Sequence, residues 1–276
     1  MKKCFLITIP LLFALGANAK PISDQVLTNT LREAFLVKEN QALHVKALGL
    51  HGEKAAIVRN YLTEIGNNQK AMQYLAEQFR QFGFADTDAY KNKDEASATV
   101  RKITFGLLQS LYRRGLIKLP TNDMEEFYVH QIRVSKHYSS DACRSFHLGT
   151  PSVAFSKESK TFEQDILRKM STVEVRKLYS HLLKAQMAAL DETKPRRDLK
   201  SNERELATKA YEHALVKGLQ SLPENEARRI ANTLLDLHSA SGKDVCDASI
   251  FMFTQVLSAT GQARDWIFRL NMESIQ

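Results

Sequence analysis

The sequence is poor in cysteine, in tryptophan and in strand-like patterns. It contains only three cysteines and one tryptophan among 276 residues. One of the cysteines, Cys4, lies in the first segment, and the other two, Cys143 and Cys246, supply fewer ligands than a metal site needs. The alternation of apolar and polar residues that marks half-buried strands is missing as well. We therefore expect an all-α protein that holds no metal and no cofactor.

Recognised catalytic motifs are also missing. The chain has no G-x-S-x-G, no H-E-x-x-H and no glycine loop of the kind that holds phosphate. His130 and His137 share a helix face, but two turns separate them by about 10 Å, which is too far for one metal. His44 and His51 have the same spacing with a glycine between them. These four histidines are expected to be exposed or to cap helices.

Glutamates leave one enzymatic alternative open. A carboxylate could serve a glycan-cleaving helical enzyme as its acid or base. Nothing in the spacing singles one out, because the pattern fits solvated helix faces. The candidates are Glu125, Glu126, Glu203 and Glu205.

Only one long apolar run is present, and it lies at the start of the chain. A basic "MKK" precedes 13 apolar residues at positions 5–17, and "ANA" follows with small residues before a cleavage point. This order is typical of a cleavable secretory signal, and the run is short for a membrane span. We expect cleavage after Ala19 and a periplasmic or secreted protein with no transmembrane segment. An uncleaved N-terminal anchor is the alternative.

Positive charge is in modest excess. The chain has 39 basic and 31 acidic residues, for a net charge of +8. This excess predicts a weak attraction to anionic envelope polymers or lipid headgroups and no nucleic-acid partner. The clustered basic residues are interpreted mostly as solvated helix ends: Arg113, Arg114 and Lys118; Lys194, Arg196, Arg197 and Lys200; Arg228 and Arg229.

The two cysteines that follow the signal are expected to pair. In an oxidising compartment, a Cys143–Cys246 disulfide is the simplest state, and two separate thiols are the alternative. Closing a loop of about 100 residues removes roughly 4–5 kcal/mol of freedom from the unfolded chain. The pair is therefore predicted to be a major contributor to stability.

Apolar residues recur at helical spacing almost throughout. The first predicted helix is a single long one from residue 22 to about residue 48. Further helices are predicted at about 54–65, where Gly66 ends the helix, and from a cap at Asn67 or Asn68 to Gly83, with Met72, Leu75, Phe79 and Phe82 on one stripe. Ser171 and Glu174 have capping-box spacing and predict the start of a helix that runs to about residue 190. The remaining helices are predicted at 96–114, 121–138, 202–217, 223–238 and 243–259.

Three stretches depart from this pattern. Residues 139–152 are the least regular stretch in the middle of the chain, where Gly149 and Pro151 are expected to interrupt the helical pattern. Residues 191–198, "DETKPRRD", form a charged linker between two halves. The apolar tail is expected to dock through Trp266, Ile267, Phe268 and Leu270.

The expected organisation is helical hairpins packed into one compact domain or two pseudo-repeated halves, with one disulfide. Residues 1–19 are the signal peptide and residues 20–92 the N-terminal helices. Residues 93–150 form the first hairpin half, 151–200 the connecting helices and linker, and 201–276 the second half with its docked tail.

Two segments about a hundred residues apart repeat one pattern. "RRGLIKLPTND" at 113–123 and "VKGLQSLPENE" at 216–226 both contain basic-Gly-Leu-x-x-Leu-Pro-x-Asn-acid. Glycine after a helix can adopt the left-handed conformation, and proline suits a first turn. Each copy therefore predicts a helix stop, a short link and a helix start. The residues of this helix–turn signature are Gly115, Leu116, Leu119 and Pro120, and Gly218, Leu219, Leu222 and Pro223.

The register of the two copies suggests an internal duplication. Each proline precedes a cysteine by 23 residues, so Cys143 and Cys246 occupy equivalent positions. Equivalent residues can meet across a pseudo-two-fold axis. A disulfide between them would then join the two hairpins.

These features favour an exported helical protein that binds an unknown protein partner in the cell envelope, as a scaffold, an inhibitor or an immunity factor. Enzymatic activity is not expected. The alternatives are an envelope hydrolase with an unrecognised carboxylate and a carrier of an apolar ligand.

Overall fold

The computed structural model describes residues 23–81, 93–150, 158, 161 and 164–273, with side chains from residue 103 onward in the second of these ranges. The signal sequence, Phe82 and Gly83 lie outside these residues. Within the described ranges the chain is all-α and contains no strand. The expected fold class is confirmed.

Twelve helices can be bounded within this part of the chain, and residues 164–169 are helical as well. They are α1 (Asp24–Leu36), α2 (Lys38–Ala47), α3 (Gly52–Asn67), α4 (Gln69–Gln81), α5 (Lys93–Leu116), α6 (Thr121–His137), α7 (Ser140–Leu148), α8 (Thr172–Leu190), α9 (Ser201–Gln220), α10 (Glu224–Leu235), α11 (Gly242–Ser258) and α12 (Gly261–Glu273). Across the described residues, none of these helices combines the length and the apolar character that crossing a membrane requires.

The helices form two compact units that are each discontinuous in sequence. Unit 1 contains the described residues up to Gly115 together with Ser171–Lys194, and therefore holds α1–α4, most of α5 and α8. Unit 2 contains Leu116–Met170 and the described chain from Pro195 onward, and therefore holds α6, α7 and α9–α12.

A large apolar cluster lies in unit 1. The stripe that the sequence predicts on α4, with Met72, Leu75 and Phe79, is buried within it. Leu27 and Leu31 of α1 and Leu111 of α5 pack into the same cluster. The helical periodicity therefore predicts this buried face correctly.

Two predicted caps are present in unit 1. Asn68 Oδ1 accepts a hydrogen bond from the Ala71 N–H at 2.9 Å, ahead of α4. Ser171 and Glu174 form a reciprocal capping box at the start of α8, with the Ser171 N–H donating to Glu174 Oε2 at 2.6 Å and the Glu174 N–H donating to Ser171 Oγ at 3.3 Å. Both use donors that a helix start leaves unpaired.

The single helix predicted for residues 22–48 is wrong, because Val37 separates α1 from α2. Val37 is extended, with φ −63° and ψ 120°. Asn40 Nδ2 donates to the Ala34 carbonyl at 3.3 Å, and Gln41 Nε2 donates to the Phe35 carbonyl at 2.8 Å. Hydrogen bonds from these two side-chain amides satisfy backbone carbonyls near the break. Apolar periodicity cannot predict such bonds, so it cannot predict the break.

Gly66 is not the helix end that the sequence predicts. It lies inside α3, which continues to Asn67. A Cβ at this position would lie 2.7 Å from Phe35 Cβ and 2.9 Å from Leu36 Cδ2. The residue is therefore required by close packing of α3 on the end of α1.

The prediction of an irregular stretch is also wrong for residues 140–148, and Pro151 lies outside the described residues. Residues 140–148 form α7, which starts at Ser139, whose Oγ accepts from the Ala142 N–H at 3.4 Å. Gly149 ends α7 with φ 66°, in agreement with its predicted role as a helix breaker. The helix has nine residues, too few for a clear apolar period, and tertiary packing stabilises such short helices.

The apolar tail docks, as predicted. Residues Ile267 and Phe268 of α12 have no exposed surface, and Met272 is 1% exposed. Phe268 packs against Tyr128 of α6, with ring centroids 4.6 Å apart. Trp266 and Leu270 are half-buried.

Candidate functional site

The two glycines of the repeated pattern do not terminate their helices. Gly115 lies in the last turn of α5 and Gly218 in the last turn of α9, and neither has a positive φ. The predicted left-handed helix ends are therefore wrong at both positions. Leu116 and Leu219 continue the helices instead of folding back.

Both glycines lie where another helix approaches closely. A Cβ on Gly115 would overlap the backbone carbonyl of Ala185 in α8. A Cβ on Gly218 would overlap the side chain of Gln255 in α11. Without a side chain, each glycine lets another helix approach its own helix closely.

The link and the helix start behave as the sequence predicts. Leu119 donates its N–H to the Leu116 carbonyl at 3.1 Å, and Leu222 donates in the same way to Leu219 at 3.1 Å. α6 begins directly after Pro120 and α10 directly after Pro223. In each copy a proline with φ near −60° leads into the first turn.

The first copy of the pattern lines an open cleft in unit 2. The cleft has a volume of about 380 Å³ and is lined by Lys118, Pro120, Thr121, Asn122 and Arg197. Lys118 and Arg197 contribute positive charge, and the start of α6 adds the positive end of a helix dipole. This combination suits a negatively charged group.

The linker brings Arg197 to the cleft. The Arg197 N–H donates to the Ile117 carbonyl at 3.2 Å, and its Nη1 donates to the Leu119 carbonyl at 2.6 Å. Its Nη2 forms an ion pair with Asp265 of α12, which also accepts a hydrogen bond from Thr121 Oγ1. Residues 78 positions apart are thereby fixed side by side.

Arg269 of α12 belongs to the same network. Its Nε donates to the Arg197 carbonyl at 2.5 Å and its Nη2 to the Asp198 carbonyl at 2.7 Å. Burial acts to raise the pKa of Asp265, but the Thr121 hydrogen bond and the Arg197 charge outweigh it, so the pKa lies below its usual value. Asp265 is therefore ionised at neutral pH and balances part of the Arg197 charge.

The four glutamates considered as catalytic candidates all occupy ion pairs in unit 2. Glu203 accepts from the Lys200 N–H at 3.0 Å, a bond that lowers its pKa, and Lys209 lowers the pKa of Glu205. A general acid requires the opposite shift. The pairs are Glu125 with Arg264 at 2.6 Å, Glu126 with Arg133 at 3.7 Å, Glu203 with Arg269 at 3.2 Å and Glu205 with Lys209 at 2.6 Å.

The candidate histidines are not brought together around a metal. His51 is exposed at the residue before α3, and burial and Lys169 lower the pKa of His137 at the end of α6. Within the described ranges, no group of three or more His, Cys, Asp or Glu side chains could hold a metal ion.

A serine–histidine contact was missed by the sequence analysis. Ser135 Oγ lies 2.8 Å from His147 Nε2 and donates its proton to the Gln131 carbonyl at 2.8 Å. Because the hydroxyl has one proton, Nε2 must carry a hydrogen and donate to Oγ. A nucleophile would need the reverse direction, so the contact is structural. This contact could have been predicted only if residues 140–148 had been recognised as a helix, and the sequence pattern did not indicate one there.

The predicted disulfide joins Cys143 of α7 to Cys246 of α11. Their Cα atoms are 5.9 Å apart, and both side chains are buried. Each cysteine lies in the first turns of a helix whose capping serine, Ser139 or Ser241, accepts from the N–H three residues ahead. Cys143 is four residues beyond its cap and Cys246 is five, so the duplication remains a prediction.

The chain matches no known protein family, and no curated protein or solved structure is significantly similar to it.

Proposed function

We propose that this protein is exported and acts without catalysis, by binding an acidic segment of another protein in the cell envelope. The observation that carries the proposal is the open cleft of about 380 Å³ at the start of α6. It presents Lys118 and Arg197 beside the positive end of a helix.

The shape and the chemistry of the cleft both favour a protein segment. An open cleft admits a chain that continues beyond it, whereas sites for small molecules enclose most of the ligand. Pro120 adds an apolar surface between the cationic and polar groups. The Arg197 side chain is held by the Leu119 carbonyl and by Asp265, so little side-chain freedom is lost on binding.

Asn122 offers a sharp test of the cleft. Asn122→Asp places a negative charge at the second residue of α6, where the helix dipole favours it by about 0.3–1 kcal/mol. The fold should therefore be kept or slightly stabilised, while an acidic partner is repelled. Asn225, exposed at the second residue of α10 in the other copy of the pattern, gives the matched control Asn225→Asp.

The three proteins, each as residues 20–276, would be immobilised and exposed to solubilised cell envelope. We expect the wild type and Asn225→Asp to retain the same protein, and Asn122→Asp to lose at least tenfold of it. Added salt should weaken the capture because the attraction is electrostatic. Equal capture by all three proteins, or recovery of glycan or small molecules alone, would contradict the proposal.

Export is tested separately. The protein recovered from the envelope or the medium should begin at Lys20 when its N-terminus is sequenced. Recovery from the cytoplasm alone would exclude the proposed localisation. An envelope protein that keeps residues 1–19 would indicate an uncleaved anchor instead of a cleaved signal.

A further inference from the structure

The clusters of basic residues differ in how their charge is balanced. The arginines of the linker and of α10 form ion pairs with acids: Arg196 with Asp198, Arg197 with Asp265, Arg228 with Glu224 and Arg229 with Asp244. Arg113 and Arg114 lie in the last turn of α5, and neither forms an ion pair with any residue that the structure describes. The charge of these two arginines is therefore available to an outside partner.

The end of α5 lies beside the first turns of α4. Arg114 Cζ is 5.6 Å from the centroid of the Tyr74 ring, a distance at which a guanidinium is attracted to an aromatic face. Lys70 is exposed one turn before Tyr74, on the same face of α4. The Arg114–Tyr74 contact therefore places a third cation, Lys70, at the same end of unit 1.

The chain after α8 adds a fourth cation. Lys194 is exposed three residues after Asp191, the residue at which α8 ends. Hydrogen bonds from Thr193 lower the pKa of Asp191, and the charges of Lys194 and Lys70 lower it further, so both lysines lie near this carboxylate. Two acids, Asp191 and Glu192, thus stand against four cations. We call these cations the basic end of unit 1: Lys70, Arg113, Arg114 and Lys194.

An exposed aromatic ring lies on the same helix as the two arginines. Phe105 is 55% exposed and is the only aromatic residue among the large apolar side chains that stand exposed in the described ranges. Gln109 and Arg113 follow it at one-turn intervals along one exposed stripe of α5. Beside Phe105, a Cβ on Gly106 would contact nothing within 4 Å. The stripe therefore presents an aromatic ring about 12 Å from an arginine.

A membrane surface of anionic phospholipid matches both features. Phosphate headgroups attract exposed Lys and Arg side chains, and aromatic rings insert at the boundary between headgroups and acyl chains. A soluble polyanion would engage the cations alone and leave the Phe105 ring in water. The exposed ring beside unbalanced arginines therefore favours lipid over a soluble polymer.

We propose that unit 1 docks peripherally on anionic phospholipid headgroups through Arg113, Arg114 and the Phe105 ring, with Lys70 and Lys194 adding to the attraction. The cations draw the protein to the surface, and the ring enters the interface once the surfaces meet. The docking surface belongs to unit 1 and does not rest on the cleft of unit 2, so either proposal can fail while the other stands.

Sedimentation with lipid vesicles tests the proposal. The protein would lack residues 1–19, whose apolar run could bind lipid by itself. We expect it to bind vesicles made of equal parts of phosphatidylglycerol and phosphatidylcholine, and to bind pure phosphatidylcholine vesicles far more weakly. Added salt should weaken the binding, because it screens the attraction between exposed charges.

Substitution of the arginines locates the docking surface. Arg113→Gln with Arg114→Gln should lower the partition coefficient on the order of 20-fold, since each basic residue at an anionic surface contributes about fivefold. The matched control is Lys209→Gln with Arg228→Gln, which removes the same charge from exposed positions in unit 2 and should have little effect. Arg113→Gln alone, which keeps the Arg114–Tyr74 contact, should give about a fivefold loss if the double variant does not fold.

Phe105→Ser distinguishes lipid from a soluble polyanion. The substitution should lower the vesicle partition coefficient about fivefold, because an exposed ring no longer enters the interface. Binding to soluble polyphosphate, measured as a control, should not change. Circular dichroism would confirm that each variant is folded.

Three results would overturn the inference. The first is a failure to bind the anionic vesicles more tightly than the neutral ones. The second is an equal loss in the α5 variants and in the unit 2 control, which would indicate an effect of net charge alone. The third is vesicle binding that Phe105→Ser leaves unchanged, which would indicate a surface for soluble polyanions.

Discussion

The two copies of the repeated pattern use the same residue types in different surroundings. In the first copy, Leu116, Ile117 and Leu119 are at most 3% exposed. In the second, Leu219 and Leu222 are only half-buried and pack beside the small cluster of Ile230. The linker and α12 hold the first copy through Arg197 and Asp265. The same local pattern therefore ends one helix and starts the next in both copies, but its leucines are buried in the first copy and only half-buried in the second.

The glycines of the two copies, Gly115 and Gly218, also differ in their surroundings. At Gly115 the neighbour is a backbone carbonyl of α8, which cannot move without moving its helix. At Gly218 the neighbour is the end of a glutamine side chain, which can rotate away. The same residue type is thus indispensable in one copy and replaceable in the other.

The largest expected effect comes from removing the disulfide between α7 and α11. Cys143→Ser with Cys246→Ser should lower the free energy of unfolding of unit 2 by about 4 kcal/mol, because a loop of about 100 residues is no longer closed in the unfolded chain. Urea unfolding followed by fluorescence would measure it, since the single tryptophan, Trp266, lies in unit 2. A reductant should then change the wild type but not the double variant. If the double substitution left the unfolding free energy unchanged, the disulfide would not be a major contributor to the stability of unit 2.

Alanine at each glycine tests the comparison directly. Gly115→Ala should cost about 3 kcal/mol or more, because a methyl group would have to displace a backbone carbonyl. Gly218→Ala should change the unfolding free energy by no more than about 1 kcal/mol, since alanine's higher helix propensity offsets the displaced glutamine. Circular dichroism during urea unfolding measures both. Equal costs at the two positions would contradict the difference in packing.

The ion pairs at the two helix starts give a smaller contrast. Asp265→Asn should cost about 1–3 kcal/mol, because the carboxylate accepts hydrogen bonds from Thr121 and Arg197 and is only 16% exposed. Glu224→Gln on α10 breaks an exposed pair with Arg228 and should cost no more than about 0.5 kcal/mol. Trp266 fluorescence during urea unfolding reports both.

The pH dependence sharpens this prediction. The lowered pKa of Asp265 means that its contribution is present above the ordinary aspartate pKa, about 3.9, and is lost as the pH falls below it. Between pH 5 and pH 3, Asp265→Asn should therefore lose less stability than Glu224→Gln or the wild type. The same acid response in all three would show that Asp265 is not responsible.

Features that depend on a few consecutive residues could be predicted from the sequence. The caps at Asn68 and Ser171, the helix starts after Pro120 and Pro223 and the buried stripe of α4 all follow from spacing within one or two turns. The cysteine pairing also followed, because only two cysteines lie outside the first segment of the chain. The break at Val37 and the short helix α7 did not, because buried amides and tertiary packing stabilise them.

The cleft at the start of α6 shows the same limit. The sequence singles out Lys118 and Pro120, but it does not bring Arg197 to them, since this contact spans 78 residues and depends on Asp265 of α12. The Ser135–His147 contact likewise requires α7 to pack on α6.

By itself, therefore, the sequence determined the all-α class, most helix positions and the covalent tie between Cys143 and Cys246. The tertiary structure alone decided why Gly66 and Gly115 must be glycine. The reason is physical: periodicity and capping act within a few residues, whereas the need for a missing side chain is set by the atoms of another helix that approaches the same point.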